Sequence, residues 1–154
     1  MQEEQKQLAI RLVTQDDMAF VKECFTDDQL LKEIGLTLSP HPQARRWAFA
    51  MWRQSGDFWA ITLQKVPIGL VTSFVVAPGV REVGYFILAP WQKQGLMTKT
   101  LQKLISCLRD RGQTNELVAT TRMDNLASQH VLIKNGFRKG HQNKTIINWS
   151  LKIS

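Results

Sequence analysis

Residues 92–98 read Gln92-Lys93-Gln94-Gly95-Leu96-Met97-Thr98, and they separate a β-branched stretch from a long amphipathic one. Downstream, Leu96, Leu101, Leu104, Ile105 and Leu108 recur at a helical period. The spacing therefore predicts a helix over 95–111, with Gly112 as its stop. The first N–H groups of any helix lack partners within it. They point toward the incoming chain, and the helix dipole adds partial positive charge there. An anion is well held at such a place. Gly95 lets backbone approach a ligand with no side chain between them, and Lys93 and Lys99 add charge. Taken alone, the segment is either a phosphate-holding helix start or a strand-to-helix turn shaped by Gly95. It lacks the later Gly-Lys-Ser/Thr of a Walker loop and the G-x-G-x-x-G of a dinucleotide site.

Working outward, residues 8–13 alternate Leu8, Ile10 and Leu12 with Ala9, Arg11 and Val13, as a strand would. Thr14 and Asp17 resemble a capping box, so a helix should begin at Gln15 and carry Met18, Val21, Cys24 and Phe25 inward. Further helices are expected over 27–34 and 41–54, the second with Trp47, Ala50 and Met51 as its stripe. Strands are expected over 57–64, with Trp59, Ile61 and Leu63 on one face, and over 68–76 and 81–88. Lys65-Val66-Pro67 and Pro78-Gly79 read as the connections between them. A strand over 116–121, a helix over 126–134 ended by Asn135-Gly136-Phe137, and a strand over 145–153 complete the chain. This order predicts an α/β domain. Its sheet is mixed, mainly antiparallel, of about six or seven strands, and flanked by helices. Residues 1–7 are expected to be a flexible tail and 8–154 a single domain.

The chain has 154 residues, enough to bury a full core without staples. Lys and Arg number 20 against 13 Asp and Glu, a net charge of +7, which suits an anionic partner. The basic residues are spread along the chain, which argues against nucleic acid. Cys24 and Cys107 have no metal-like spacing and are expected as reduced, buried thiols. The polar start MQEEQKQ lacks the apolar stretch of a signal peptide, and no apolar run approaches the roughly 20 residues of a membrane span. A cytoplasmic protein, without membrane or nucleic-acid partners, is the expectation.

Three segments carry a family resemblance. Gln92-x-x-Gly95-x-Met97 resembles the Q/R-x-x-G-x-G/A signature of the GNAT superfamily of N-acetyltransferases, with Met97 where Gly or Ala is usual. The text GLMTKTL is similar to the GLMTEAL-like loops of the ribosomal-protein N-terminal (RimJ/RimL-type) subgroup. Arg81-Glu82-Val83-Gly84-Tyr85 resembles that subgroup's E-[IL]-G-Y strand. Asn125-Leu126-Ala127-Ser128, with Val131, Leu132, Lys134, Gly136 and Phe137, resembles its N-x-x-S-x-x-V-L-x-K-x-G-F helix. The resemblance spans the chain from Leu8 and implies a GNAT fold with splayed fourth and fifth strands. It implies acetyl-CoA (coenzyme A) as co-substrate and no metal. It also implies that Gln92, Lys93, Gln94, Gly95, Leu96, Met97 and Thr98 hold the pyrophosphate. Phe86, Ile87, Leu88 and Ala89 would pair through their backbone with pantetheine, and Asn125 would hydrogen-bond the same arm.

Amine acetylation needs a base for the amine, a donor for charge at the thioester oxygen and a proton for the departing thiolate. Glu82 is the candidate base, acting directly or through water. By alternation it shares a face with Gly84 and Phe86, where burial would favour its protonated form. The competing reading pairs it with Arg81 or another cation. Ser128 is the candidate acid. Many members of the family place a Tyr on this helix, but the matching position here is Val131, and the resembled subgroup uses the Ser instead. The competing reading is that Asn125 and Ser128 only cap the helix. His41, His130 and His141 are scattered and read as ordinary residues, and Trp47, Trp52 and Trp59 as core or pocket lining. The basic stretch 138–144 lies where the family's acceptor-side loop falls, or is a solvated loop. The acceptor is a protein N-terminus or a small-molecule amine such as a polyamine, amino acid or amino sugar. A non-catalytic coenzyme A sensor or a basic binding module is the alternative of a different class. A monomer or homodimer is expected.

Overall fold

Hydrogen bonding orders the strands β1-β2-β3-β4-β5-β7-β6 in one seven-stranded sheet. The computed structural model describes residues 7–25 and 58–154. β1 (Leu8–Leu12), β2 (Phe58–Leu63) and β3 (Val66–Ala77) pair antiparallel in sequence order. β4 (Val80–Ile87) meets β5 (Glu116–Arg122) in parallel, with Val80, Arg81 and Glu82 opposite Glu116, Leu117 and Val118. Both strands continue past that short register. β7 (Ile146–Lys152) runs antiparallel to β5 and to β6 (Arg138–Gln142). The sheet is therefore the mixed, mainly antiparallel one that the order of elements predicts. The described residues up to Ser73, with Gly84–Leu88, form one compact unit, and Phe74–Val83 with Ala89–Ser154 form another.

In the first unit, β2 is buried on both faces. Phe58 and Ala60 are as enclosed as Trp59 and Ile61, so the single inward face expected from alternation understates its burial. The Trp59 indole N–H donates to Ser73 Oγ at 3.3 Å, which satisfies the one polar group of that ring. The β2–β3 turn is Gln64-Lys65, both with positive φ (50° and 69°), and β3 starts at Val66 rather than Ile68. Two-residue hairpins of this kind are normally marked by Asn-Gly, and Gln-Lys carries no such mark. Pro67 faces Thr62 beside a register shift, where its missing N–H is tolerated.

Gly69 lies on β3 against the end of β4. A Cβ there would collide with the Phe86 carbonyl oxygen and lie 3.0 Å from Ile87 Cα, and both are backbone atoms that cannot turn aside. The Leu88 N–H to Ile68 oxygen bond, 2.8 Å, holds the strands at this spacing. Gly69→Ala is expected to cost about 3 kcal/mol in urea denaturation, the upper end for overpacking. A loss below about 1 kcal/mol would mean that the strands part freely.

The helix α1 (Met18–Phe25) follows a 3-10 turn at Gln15–Asp17, so the α-helix begins later than the capping signature suggests. Asp17 is buried and accepts from both terminal nitrogens of Arg11, at 2.6 and 2.8 Å. It also accepts from Thr14 N at 2.8 Å and Thr14 Oγ1 at 3.2 Å. The hydrogen bonds from Arg11 hold the Asp17 carboxyl below its ordinary range, and the same pair raises the Arg11 guanidinium. Folded Asp17 thus releases its proton more readily than unfolded Asp17. Its contribution is present above the unfolded carboxylate range and is lost as pH falls through the folded one. Asp17→Asn should cost about 1–2 kcal/mol at neutral pH, discounted because Arg11 is partly exposed. The gap from wild type should close on acidification; a gap constant down to acid denaturation would contradict this. Val21 and Cys24 are buried as expected. The Met18 and Phe25 side chains, the helices expected over 27–34 and 41–54, His41, Trp47, Trp52 and residues 1–6 of the tail lie outside the described residues.

The second unit is built around α2 (Leu96–Arg111), whose predicted stripe is fully realised: Leu96, Leu101, Leu104, Ile105 and Leu108 are all buried. Gly112 ends it with φ 73°, its N–H reaching Leu108 and Arg109 oxygens. Cys107 on this helix is half-buried, and neither cysteine is in a disulfide. α3 (Leu126–Lys134) has the predicted bounds, and Gly136, with φ 88°, lets the N–H of buried Phe137 turn back to Leu132 O at 3.0 Å. Trp149 is buried on β7, its N–H donating to Thr121 Oγ1 at 2.9 Å. The basic stretch is a correction. Residues 138–142 form β6 rather than a loop, created by pairing with β7 and not by any apolar alternation of its own.

Candidate active site

The chain reaches α2 through a 3-10 turn, Ala89–Trp91, and a loop held by Gln92 N–H to Ala89 O (3.2 Å) and Gln94 Nε2 to Pro90 O (3.3 Å). Lys93 (φ 64°) and Gly95 (φ 76°, ψ 6°) are both left-handed. A left-handed residue followed by right-handed helix turns successive N–H groups to one side, forming an anion-holding nest. The first helical bond runs from Lys99 N to Gly95 O, and Gly95, at the cap position, has no side chain with which to cap α2. The N–H groups of Leu96, Met97 and Thr98 precede that first bond, and a Cβ on Gly95 would meet nothing within 4 Å beyond its chain neighbours. Leu96 is buried and anchors the turn, Met97 and Thr98 are half-buried, and Gln92, Lys93, Gln94 and Gly95 are exposed. A nest of this kind can hold an anion.

Glu82 faces Val118 across the parallel register and is exposed. The burial expected of it is not found. Val83 and Phe86 are both buried, so strict alternation breaks between them and the face Glu82 was expected to share with Phe86 is interrupted. Nor does Glu82 form an ion pair among the described residues. Its carboxylate is open to solvent.

The four residues expected to pair with pantetheine differ among themselves. Phe86 and Ile87 are buried, Leu88 is half-buried with its N–H given to Ile68, and Ala89 is exposed with its carbonyl engaged by Gln92. The backbone amide of Leu88 is therefore committed within the first unit.

At the start of α3, Asn125 Oδ1 accepts the Ser128 N–H at 3.1 Å. A backbone N–H can only donate, so the amide orientation is fixed and Nδ2 points away from the cap. The capping reading holds for Asn125, and Ser128 enters the cap through its backbone. Gln129, itself buried, donates to Arg122 O and Met123 O at 3.2 and 3.0 Å and fixes the turn that presents both residues. Asn135 was legible only as part of a helix stop. Its Nδ2 donates to Val131 O at 2.9 Å and across to Thr98 O at 3.2 Å, tying the end of α3 to the first turn of α2. No local signal marks a bond spanning 37 residues. A shallow groove on the later turns of α2, lined by Gln102, Ser106 and Cys107 among others, contains none of these site residues.

The acetyltransferase (GNAT) domain model matches residues 7–138. No curated protein sequence matches the chain significantly. Among solved structures, a GNAT-family acetyltransferase from Bacillus anthracis has a TM-score of 0.78 at 16% identity, covering 96% of this chain and 95% of its own. A Salmonella typhimurium acetyltransferase, described as modifying the N-terminal serine of a 50S ribosomal subunit protein, has a TM-score of 0.76 at 19% identity, covering 96% of each chain. Spermidine N-acetyltransferase from Vibrio cholerae has a TM-score of 0.81 at 13% identity, again covering 96% of each. No helix among the described residues is long and apolar enough to cross a membrane. The chain belongs to the GNAT acetyltransferase family and is an acyltransferase that uses acetyl-CoA.

Proposed function

We propose that this N-acetyltransferase acetylates a protein N-terminal amine, with the nest at α2 holding the coenzyme pyrophosphate, Glu82 as base and Ser128 as acid. The observation that carries the reading is the uncapped start of α2 at Gly95, a built anion cradle at the point where GLMTKTL resembles the ribosomal-protein subgroup. The co-substrate supplies an activated acyl carbon and a thiolate leaving group. The N–H groups of Leu96, Met97 and Thr98 bind its phosphates. Asn125 Nδ2 adds a donor to its pantetheine arm. Glu82, exposed, takes a proton from the amine directly or through one water, and Ser128 Oγ–H gives one to the departing sulfur. A polyamine is the competing acceptor, because a neighbour of the same fold carries that activity in its name.

A thiol-release assay with acetyl-CoA tests this. Peptides with free N-termini should accelerate release, while the same peptides with blocked N-termini should not. Acceleration by spermidine alone would replace the acceptor, and binding without release for any amine would make the chain a sensor. Ser128→Ala keeps the backbone N–H that Asn125 caps. It should slow transfer by about a hundredfold with coenzyme affinity within about twofold. An unchanged rate would remove the acid role and leave only the cap.

A further inference from the structure

The charge of this chain is unevenly placed. The cations are spread, but the last carboxylate is Asp124. Residues 125–154 hold Lys134, Arg138, Lys139, Lys144 and Lys152 and no Asp or Glu, so they carry +5 of the net +7. Three of these five sit on β6 or the turn after it, with His141 beside them. Among the described strands β6 is the last of the sheet and pairs with β7 alone, and all five of its residues are exposed. No carboxylate among the described residues pairs with Arg138, Lys139 or Lys144. Lys139 Nζ lies 5.7 Å from the centroid of the buried Trp149 ring, which holds its charge at the strand.

We propose that β6 is a docking edge for an extended acidic segment of a partner protein, which adds to the sheet as a further strand. An edge strand presents unpaired N–H and C=O groups that an extended peptide can satisfy, here on either side of the register shift between Lys139 and Gln142. Successive strand residues point to opposite faces, so carboxylates on the incoming strand would meet Arg138 on one face, Lys139 on the other and Lys144 past the strand's end; opposite charges across a strand pair are favourable. A second copy of this chain is a poor occupant. Antiparallel pairing of two β6 strands about Gly140 would set Lys139 against His141 and stack two basic strands on one ribbon. Nucleic acid fits less well, since the only aromatic residues in 125–154, Phe137 and Trp149, are buried and offer no stacking face. A membrane surface would need apolar side chains beside the cations, and β6 has none. The proposal stands independently of the acetyl-transfer reading.

The test uses the whole chain and labelled peptides of about ten residues in fluorescence anisotropy. One alternates Glu and Thr, one has Pro in place of every second Thr, and one has Lys in place of Glu. The Glu–Thr peptide should bind, and the proline version, equally acidic but unable to pair, should bind at least about tenfold more weakly. Arg138→Glu combined with Lys144→Glu should weaken the Glu–Thr peptide about tenfold with the melting temperature within a few degrees of wild type. The amides of 138–142 should gain protection from hydrogen exchange on binding. No binding, equal binding of the two acidic peptides, or unchanged exchange at β6 would overturn the proposal. So would tighter binding of a single-stranded oligonucleotide that the same double substitution abolishes.

Discussion

Gly95→Val should weaken coenzyme A binding by about a hundredfold while leaving the protein folded. The two effects separate because of where Gly95 sits. A Cβ there touches nothing within 4 Å, so valine creates no clash inside the protein. What it meets is backbone strain, since φ is 76° and a β-branched residue disfavours that region by about 1–2 kcal/mol. The melting temperature should therefore fall by only several degrees. The branched side chain would stand over the N–H groups of Leu96 and Met97 and displace the anion from them. Hydrogen bonds from N–H to a charged acceptor contribute about 1.5–3 kcal/mol each, so losing two of the weaker kind removes about 3 kcal/mol, or roughly a hundredfold in Kd. Titration calorimetry with coenzyme A reads the result. An unchanged Kd would reduce the loop to a turn that merely needs glycine.

Glu82→Gln is expected to lower turnover by about a hundredfold or more, with coenzyme affinity unchanged within about twofold. Glu82 is exposed and in no ion pair among the described residues, so the near-isosteric amide should alter stability by no more than about 0.5 kcal/mol. The pH profile gives the sharper reading. A base is needed only while the amine carries its extra proton. The deficit should therefore shrink as pH rises past the amine's own range, about 7.7–8.0 for an α-amino group. A variant matching wild type at every pH would exclude Glu82 as the base. A constant deficit would point to a role in orientation.

These tests fall on residues whose placement was legible to different degrees. The bounds of α3, the buried stripe of α2 and the stops at Gly112 and Gly136 follow from side-chain periodicity and from the freedom of glycine at positive φ, and both rules operate within a few residues. Asn125 as a cap is local in the same sense. What escaped depends on partners distant in sequence. β6, Arg-Lys-Gly-His-Gln, has no apolar alternation and is a strand only because β7 lies beside it. β3 begins at Val66 because Gln64-Lys65 adopts a turn usually reserved for Asn-Gly. The exposure of Glu82 follows from a break in alternation between Val83 and Phe86 that composition does not announce. Asn135 reaches Thr98 only once both helices are formed. The sequence-based roles of Glu82 and Ser128 came from family resemblance, and the structure adds their surroundings: an open carboxylate and a capped helix start.

The central claim is that the coenzyme lies on the backbone amides at the start of α2. Nitrogen-15 NMR of the full chain, titrated with coenzyme A, reads those amides one by one. The largest shifts should fall on Gly95, Leu96, Met97 and Thr98, and Gly95→Val should suppress them. Saturable coenzyme binding that leaves these four amides unmoved would contradict the claim.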